Sequence, residues 1–185
     1  MKNICKELVE ILKVSAKETQ EEKGKDVLLS KVVYKILDIY LIQGNGEDED
    51  LFRYLIKILG KENFKEKMHS LSYIVDLEIV NNKFPPQLSS CTDLSNIPAS
   101  IELDCVLERS IRLTKQLIKD KEVTSGIFLF TALFEMDQQI IKQLIKYGIK
   151  KEDLVHLIGL EQDTSLNNAS NLIEKVFENT EDINL

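Results

Sequence analysis

Cysteine, proline, glycine and histidine are all scarce in this 185-residue chain, and positive charge is not in excess. Its three cysteines, Cys5, Cys91 and Cys105, are an odd number at wide spacing. That fits neither a disulfide framework nor paired metal ligands, so reduced thiols are expected. Three prolines and seven glycines, beside abundant Leu, Ile, Lys and Glu, favour helices over strands. With 24 Lys and Arg against 31 Asp and Glu, the net charge is -7. No global positive field draws in phosphate backbones or acidic lipid, so neither nucleic acid nor a membrane is an expected partner. No apolar run approaches the roughly 18 residues of a transmembrane helix, and the opening MKNICKELVEILK breaks any signal-like run with charge. A cytoplasmic location is expected.

Catalytic signatures are absent too. His69 and His156 each lack a second His or Cys at ligand spacing, so no metal is expected. The acids Glu47, Asp48, Glu49 and Asp50 lack the alternating spacing and central glycine of a calcium loop and read as a solvated loop. No phosphate-binding loop of the form G-x-x-x-x-G-K-[ST] occurs, and Gly44 and Gly46 sit among acids that repel phosphate. No nucleophile, base and acid converge by spacing. The chain is expected to use no cofactor and to be no enzyme.

What is present is helical periodicity around 43% hydrophobic residues, enough for the core of one compact domain. Ile4, Leu8, Ile11 and Leu12 mark a first helix ending near Gly24. Ser30 is the expected N-cap of a second, whose run VVYKILDIYLI (32–42) is apolar on nearly all sides and so central. The acidic loop 43–50 leads into a third helix carrying Leu51, Leu55, Ile58 and Leu59 and stopping at Gly60. A fourth runs from about residue 61 with Phe64, Met68, Leu71 and Val75 on one stripe. A connector at about 79–103 holds all three prolines. Further helices are expected at about 104–119, 125–134, 136–147 and 151–158, with an amphipathic segment at 166–177. Phe128 and Phe130, in an apolar run of eight, belong to the core.

The second half restates the first. VLLSKVVYKIL, from Val27, lies over VTSGIFLFTAL, from Val123, at an offset of 96, pairing Val33 with Leu129, Tyr34 with Phe130 and Leu37 with Leu133. LIKILG (55–60) resembles LIKYG (144–148), with the closing glycines at an offset reduced to 88, and the acidic loop accounts for the difference of eight.

On these strings, with QLIKYGIKKEDLVHLI from Gln143, the chain resembles the N-terminal domain of Clp-type AAA+ chaperones. The resemblance implies an all-α fold of two tandem four-helix repeats related by a pseudo-twofold. One domain would span 1–165, with repeat one at about 4–78, repeat two at about 104–160 and a helical tail or linker at 166–185. It also implies a non-catalytic role in protein quality control, recruiting substrates or adaptors to a Clp-type ATP-dependent unfoldase. Partners would be unfolded or misfolded segments, adaptor proteins, and an AAA+ ATPase ring in cis or in trans. The alternative is a self-associating helical interaction or regulatory protein with no link to an ATPase.

One departure bears on binding. Where the family has Thr-Glu-His opening the central helix, the 96-residue offset places Leu29, Ser30 and Lys31 in the first copy and Ser125, Gly126 and Ile127 in the second. The acids that in relatives grip a guanidinium-type group such as phosphoarginine are missing. Leu28, Leu29 and Ile127 then either form an apolar recruiting groove or extend the core. Phe84, Pro85 and Pro86 in the connector form a second candidate contact, stiff and cheap to order.

Overall fold

The computed structural model describes residues 3–83 and 97–166, with side chains through residue 159. Every regular element among them is helical: α1 (Lys6–Glu21), α2 (Leu29–Leu37), α3 (Glu49–Leu59), α4 (Phe64–Asn81), α5 (Ile101–Leu117), α6 (Gly126–Leu133), α7 (Gln139–Lys146) and α8 (Lys151–Leu166). The only bridges among the described residues are three isolated ones between helix lead-ins and loops. No described helix is long and apolar enough to cross a membrane.

The core sits around the two most apolar helices. Every residue of α6, including Phe128 and Phe130, is buried. Seven of the nine residues of α2 are buried, from Leu29 to Leu37. The amphipathic helices α1 and α5 pack against them through one stripe each. α1 buries Leu8, Ile11, Ser15 and Thr19, and α5 buries Leu103, Val106, Ser110 and Thr114, each 95 residues later. Thr19 Oγ1 donates back to Ser15 O at 2.7 Å and Thr114 Oγ1 to Ser110 O at 2.8 Å, which satisfies both hydroxyls inside their own helices.

The lead-ins cross between the halves. Cys5 N donates to Thr124 O at 2.9 Å and Thr124 N to Asn3 O at 2.8 Å, tying the entry of α1 to the entry of α6. Ser100 N donates to Val27 O and Val27 N to Pro98 O, both at 2.9 Å, tying the entry of α5 to the entry of α2 in the same pattern. These bonds absorb backbone groups that helix starts leave unpaired. At the entry of α1 Cys5 occupies the N-cap position without a side-chain capping bond, and burial pushes its half-buried thiol up from its ordinary pKa, leaving it protonated at neutral pH. Cys5 and Cys105 are both free thiols.

Several expectations are corrected. The N-cap of α2 is Leu28, not Ser30, and the Ser30 hydroxyl is buried without a hydrogen-bond partner. Since the N-cap of α6 is Ser125, the two central helices start 97 residues apart, one more than the string match. Ser125, Gly126 and Ile127 therefore correspond to Leu28, Leu29 and Ser30. The connector is shorter at both ends, because α4 runs to Asn81 and Ser100, accepting from Leu103 N at 3.2 Å, caps α5. α4 begins at Phe64 behind Asn63, which sits at φ 55 as its N-cap. Helices α3 and α7 also end differently. Gly60 is right-handed at φ -82, whereas Gly148 sits at φ +106, where a side chain would be strained. α8 continues to Leu166 rather than ending at 158, and the rest of the proposed tail, 167–185, lies outside the described residues.

The second helix also changes pitch. After Leu37 it widens into a π-turn, Asp38–Ile42. The widening turns Tyr40 inward, so that it is fully buried with its hydroxyl 2.5 Å from Glu7 Oε1 on α1. Asp48 N donates to the Tyr40 hydroxyl at 3.1 Å, and Glu47 N donates to Glu7 Oε2 at 2.7 Å. The acidic loop thus folds back over Tyr40 so closely that a Cβ on Gly46 would lie 2.1 Å from the ring. Asp48 then caps α3, accepting from Leu51 N at 3.1 Å, with Glu49 and Asp50 in the first turn as expected.

Candidate functional site: the cleft at Leu28

Where the lead-in of α2 runs between the end of α4 and the start of α5, the surface opens into a cleft of about 380 Å3. Its backbone frame is fixed on both sides. Lys25 N donates to Asn82 O at 2.8 Å and Asn82 Nδ2 donates to Asp26 O at 2.6 Å, while Val27 pairs with Pro98 and Ser100. Gly24 permits the close approach of α4, since a Cβ there would stand 2.7 Å from Thr19 Cγ2 and 3.1 Å from Asn82 Nδ2. Buried Asn82, at the end of α4, is the residue that locks this frame.

Leu28 gives the cleft its accessible apolar lining, with Leu29 buried beneath it, and Asp26, Glu78, Glu102 and Lys25 give it charge. Three carboxylates face one ammonium, and no ion pair among the described residues uses any of the four. An apolar contact ringed by uncommitted acids matches a segment that combines an apolar side chain with a basic one.

The six sequence-expected contact residues separate into three groups. Leu28 is half-buried and lines the cleft. Leu29 and Ile127 are core residues at 1% and 0% exposure, which removes them from any recruiting surface; helix starts that are tied to crossing lead-ins point these side chains inward. Phe84, Pro85 and Pro86 lie outside the described residues. The structure therefore corrects the three-residue apolar groove to a single half-buried leucine beside acids. Sequence reasoning missed Asp26, Glu78, Glu102 and Asn82 because they are distant along the chain and sit in no motif.

The glycine that opens the second central helix has a packing reason. Gly126 lies under Leu51 and Tyr40: a Cβ there would be 3.0 Å from Leu51 Cδ2 and 3.7 Å from the Tyr40 hydroxyl. The π-turn and α3 fill the space that a longer side chain would need.

His69 and His156 are both exposed, and no group of three or more His, Cys, Asp or Glu is placed to hold a metal among the described residues. No family model matches this chain, and no curated protein matches it.

Proposed function

We propose that this chain is a non-catalytic recruiting domain built from two tandem four-helix repeats, of the Clp N-terminal kind, that holds unfolded segments or an adaptor for an AAA+ unfoldase ring in cis or in trans. The observation that carries the reading is the doubled pattern. The same four stripe positions recur 95 residues apart, the same threonine back-bond recurs within each stripe, and the lead-ins exchange the same two hydrogen bonds in both directions. Such an exchange is what a pseudo-twofold between repeats would require, and it buries two apolar helices that one repeat would leave half exposed. Recruitment is assigned to the Leu28 cleft, and its occupant is an apolar segment carrying a basic residue.

The test is fluorescence anisotropy with a labelled, permanently unfolded polypeptide. Wild-type chain should bind it, and Leu28→Ser should weaken binding by about tenfold, the order expected for one leucine side chain, with thermal stability nearly unchanged. Equal binding by wild type and variant removes the cleft from the function.

The alternative, a self-associating module with no ATPase partner, draws on one feature. Tyr73, Leu77 and Val80 lie exposed on one face of α4 at helical spacing. A stable dimer with no affinity for the unfolded polypeptide would favour it.

A further inference from the structure

A second cleft, of about 340 Å3, opens where α5 and α6 meet the first turn of α8. Its sign is opposite to that of the Leu28 cleft. Arg109, Arg112 and Lys151 line it with a single carboxylate, Glu135, in a chain whose net charge is -7. Arg109 is committed to the fold, since it reaches Glu135 O and Glu135 Oε2, both at 3.4 Å, at the end of α6. Lys151 shares the same carboxylate at 3.4 Å. Arg112 has only Glu108, one turn away on its own helix at 2.8 Å, a pair exposed on both sides and therefore weak. Leu113 and Ala132 form an apolar base between these cations.

The corresponding seam of the first half is closed. Glu18 stands 95 residues before Leu113, and Lys35 stands 97 before Ala132; these two are paired at 2.5 Å. Lys31 adds contacts to Glu22 at 2.6 Å and Glu18 at 3.7 Å. Leu113 and Ala132 stand in place of that ion-paired bridge and leave a depression with three cations and one carboxylate, Glu135, around it.

From this geometry we infer that the α5–α6 cleft binds an acidic peptide segment, with its carboxylates on Arg112 and Lys151 and a small apolar side chain against Leu113 and Ala132. Charge complementarity selects the occupant. Arg112, held only by its exposed pair with Glu108, and Lys151, which makes one 3.4 Å contact to Glu135, can each turn to an incoming carboxylate, whereas the surrounding negative field works against an extended polyanion such as nucleic acid. The inference rests on a different face from the Leu28 cleft and stands or falls apart from it.

The test is anisotropy with two labelled peptides of equal length, one carrying Glu and Asp among Leu and Ala, the other with each acid replaced by its amide. Wild-type chain should prefer the acidic peptide by about fivefold or more at low salt, with the preference shrinking as salt is raised. Arg112→Glu and Lys151→Glu should each abolish the preference, and Arg112→Gln should lower it part-way. Lys146→Glu, an exposed change of equal charge on α7, should leave it intact. Arg112 is exposed, so its variants keep the fold, as identical thermal melts will verify. Equal affinity for the two peptides overturns the inference. So does a loss with Lys146→Glu as large as with Arg112→Glu, or binding of duplex DNA that tracks the same substitutions, which would make the patch a general anion surface.

Discussion

The helix pairs α1–α2 and α5–α6 are built on one plan and finished differently. In both, a stripe of two aliphatic residues, a serine and a threonine packs against an apolar central helix. The serines show the first difference. Ser110 Oγ bonds Thr124 Oγ1, while Val27 holds the corresponding lead-in place of the other half and Ser15 Oγ is buried with no partner. The second difference lies at the surface, where Lys31 and Lys35 close the α1–α2 seam against Glu18 and Glu22 while Leu113 and Ala132 leave the α5–α6 seam open. Keeping the interior stripe while changing the rim preserves the fold and changes what the surface can hold.

The largest expected effects probe what the halves share. Leu29→Ser and Ile127→Ser each place a hydroxyl in a fully buried position and should cost about 3–5 kcal/mol in urea unfolding, whereas Leu28→Ser should cost under about 1 kcal/mol. Similar losses at Leu28 and Leu29 would erase the distinction between cleft and core. Gly46→Ala drives a methyl into the Tyr40 ring and should cost about 1–3 kcal/mol, with loss of the native tyrosine signal in near-ultraviolet circular dichroism.

Next come the seams. Lys31 is buried, and Lys31→Ala leaves Glu22 without its cation while Glu18 keeps Lys35; since Glu22 is about one-third exposed, water recovers part of the cost, and about 1–2 kcal/mol is expected. Arg112→Ala, on the open seam, should change stability by no more than about 0.5 kcal/mol. Equal costs at the two positions would contradict the contrast between a closed and an open seam.

The smallest effect concerns the acidic loop. Burial, then the charges of Asp50 and Glu7, hold the Asp48 carboxyl above its ordinary pKa, against the lowering by Leu51 N–H. The folded chain therefore binds that proton more tightly than the unfolded chain. The contribution is fully favourable below the ordinary carboxylate value and is lost as pH rises through the raised one. Asp48→Asn keeps the acceptor for Leu51 N and removes the buried charge, so it should raise the melting temperature at pH 7 and make no difference at acid pH. A lower melting temperature at pH 7 would mean that the cap needs its charge.

Periodicity made most of the fold legible. The stripes of α1, α3 and α4 and the all-apolar α6 could be read directly, and Phe128 and Phe130 lie in the core as their run implies. Helix starts were less legible because tertiary pairing overrode local preference. Ser30 is a better N-cap by residue type than Leu28, but the lead-in pairing of Val27 with Ser100 sets the start two residues earlier. The π-turn has no mark in the sequence, since Tyr40 is drawn inward by Glu7, 33 residues away. For the site, Leu28 was visible as an apolar residue at a helix start, and its acidic surroundings, assembled from a loop and two helices distant along the chain, were not.

The central claim is that unfolded segments are held at the Leu28 cleft, and amide chemical-shift mapping tests it most directly. Titrating the unfolded polypeptide into isotope-labelled chain should move the signals of Asp26, Leu28, Asn82 and Glu102 together and leave α3 unmoved. Shifts spread evenly over the surface, or confined to the exposed face of α4 at Tyr73, Leu77 and Val80, would contradict it.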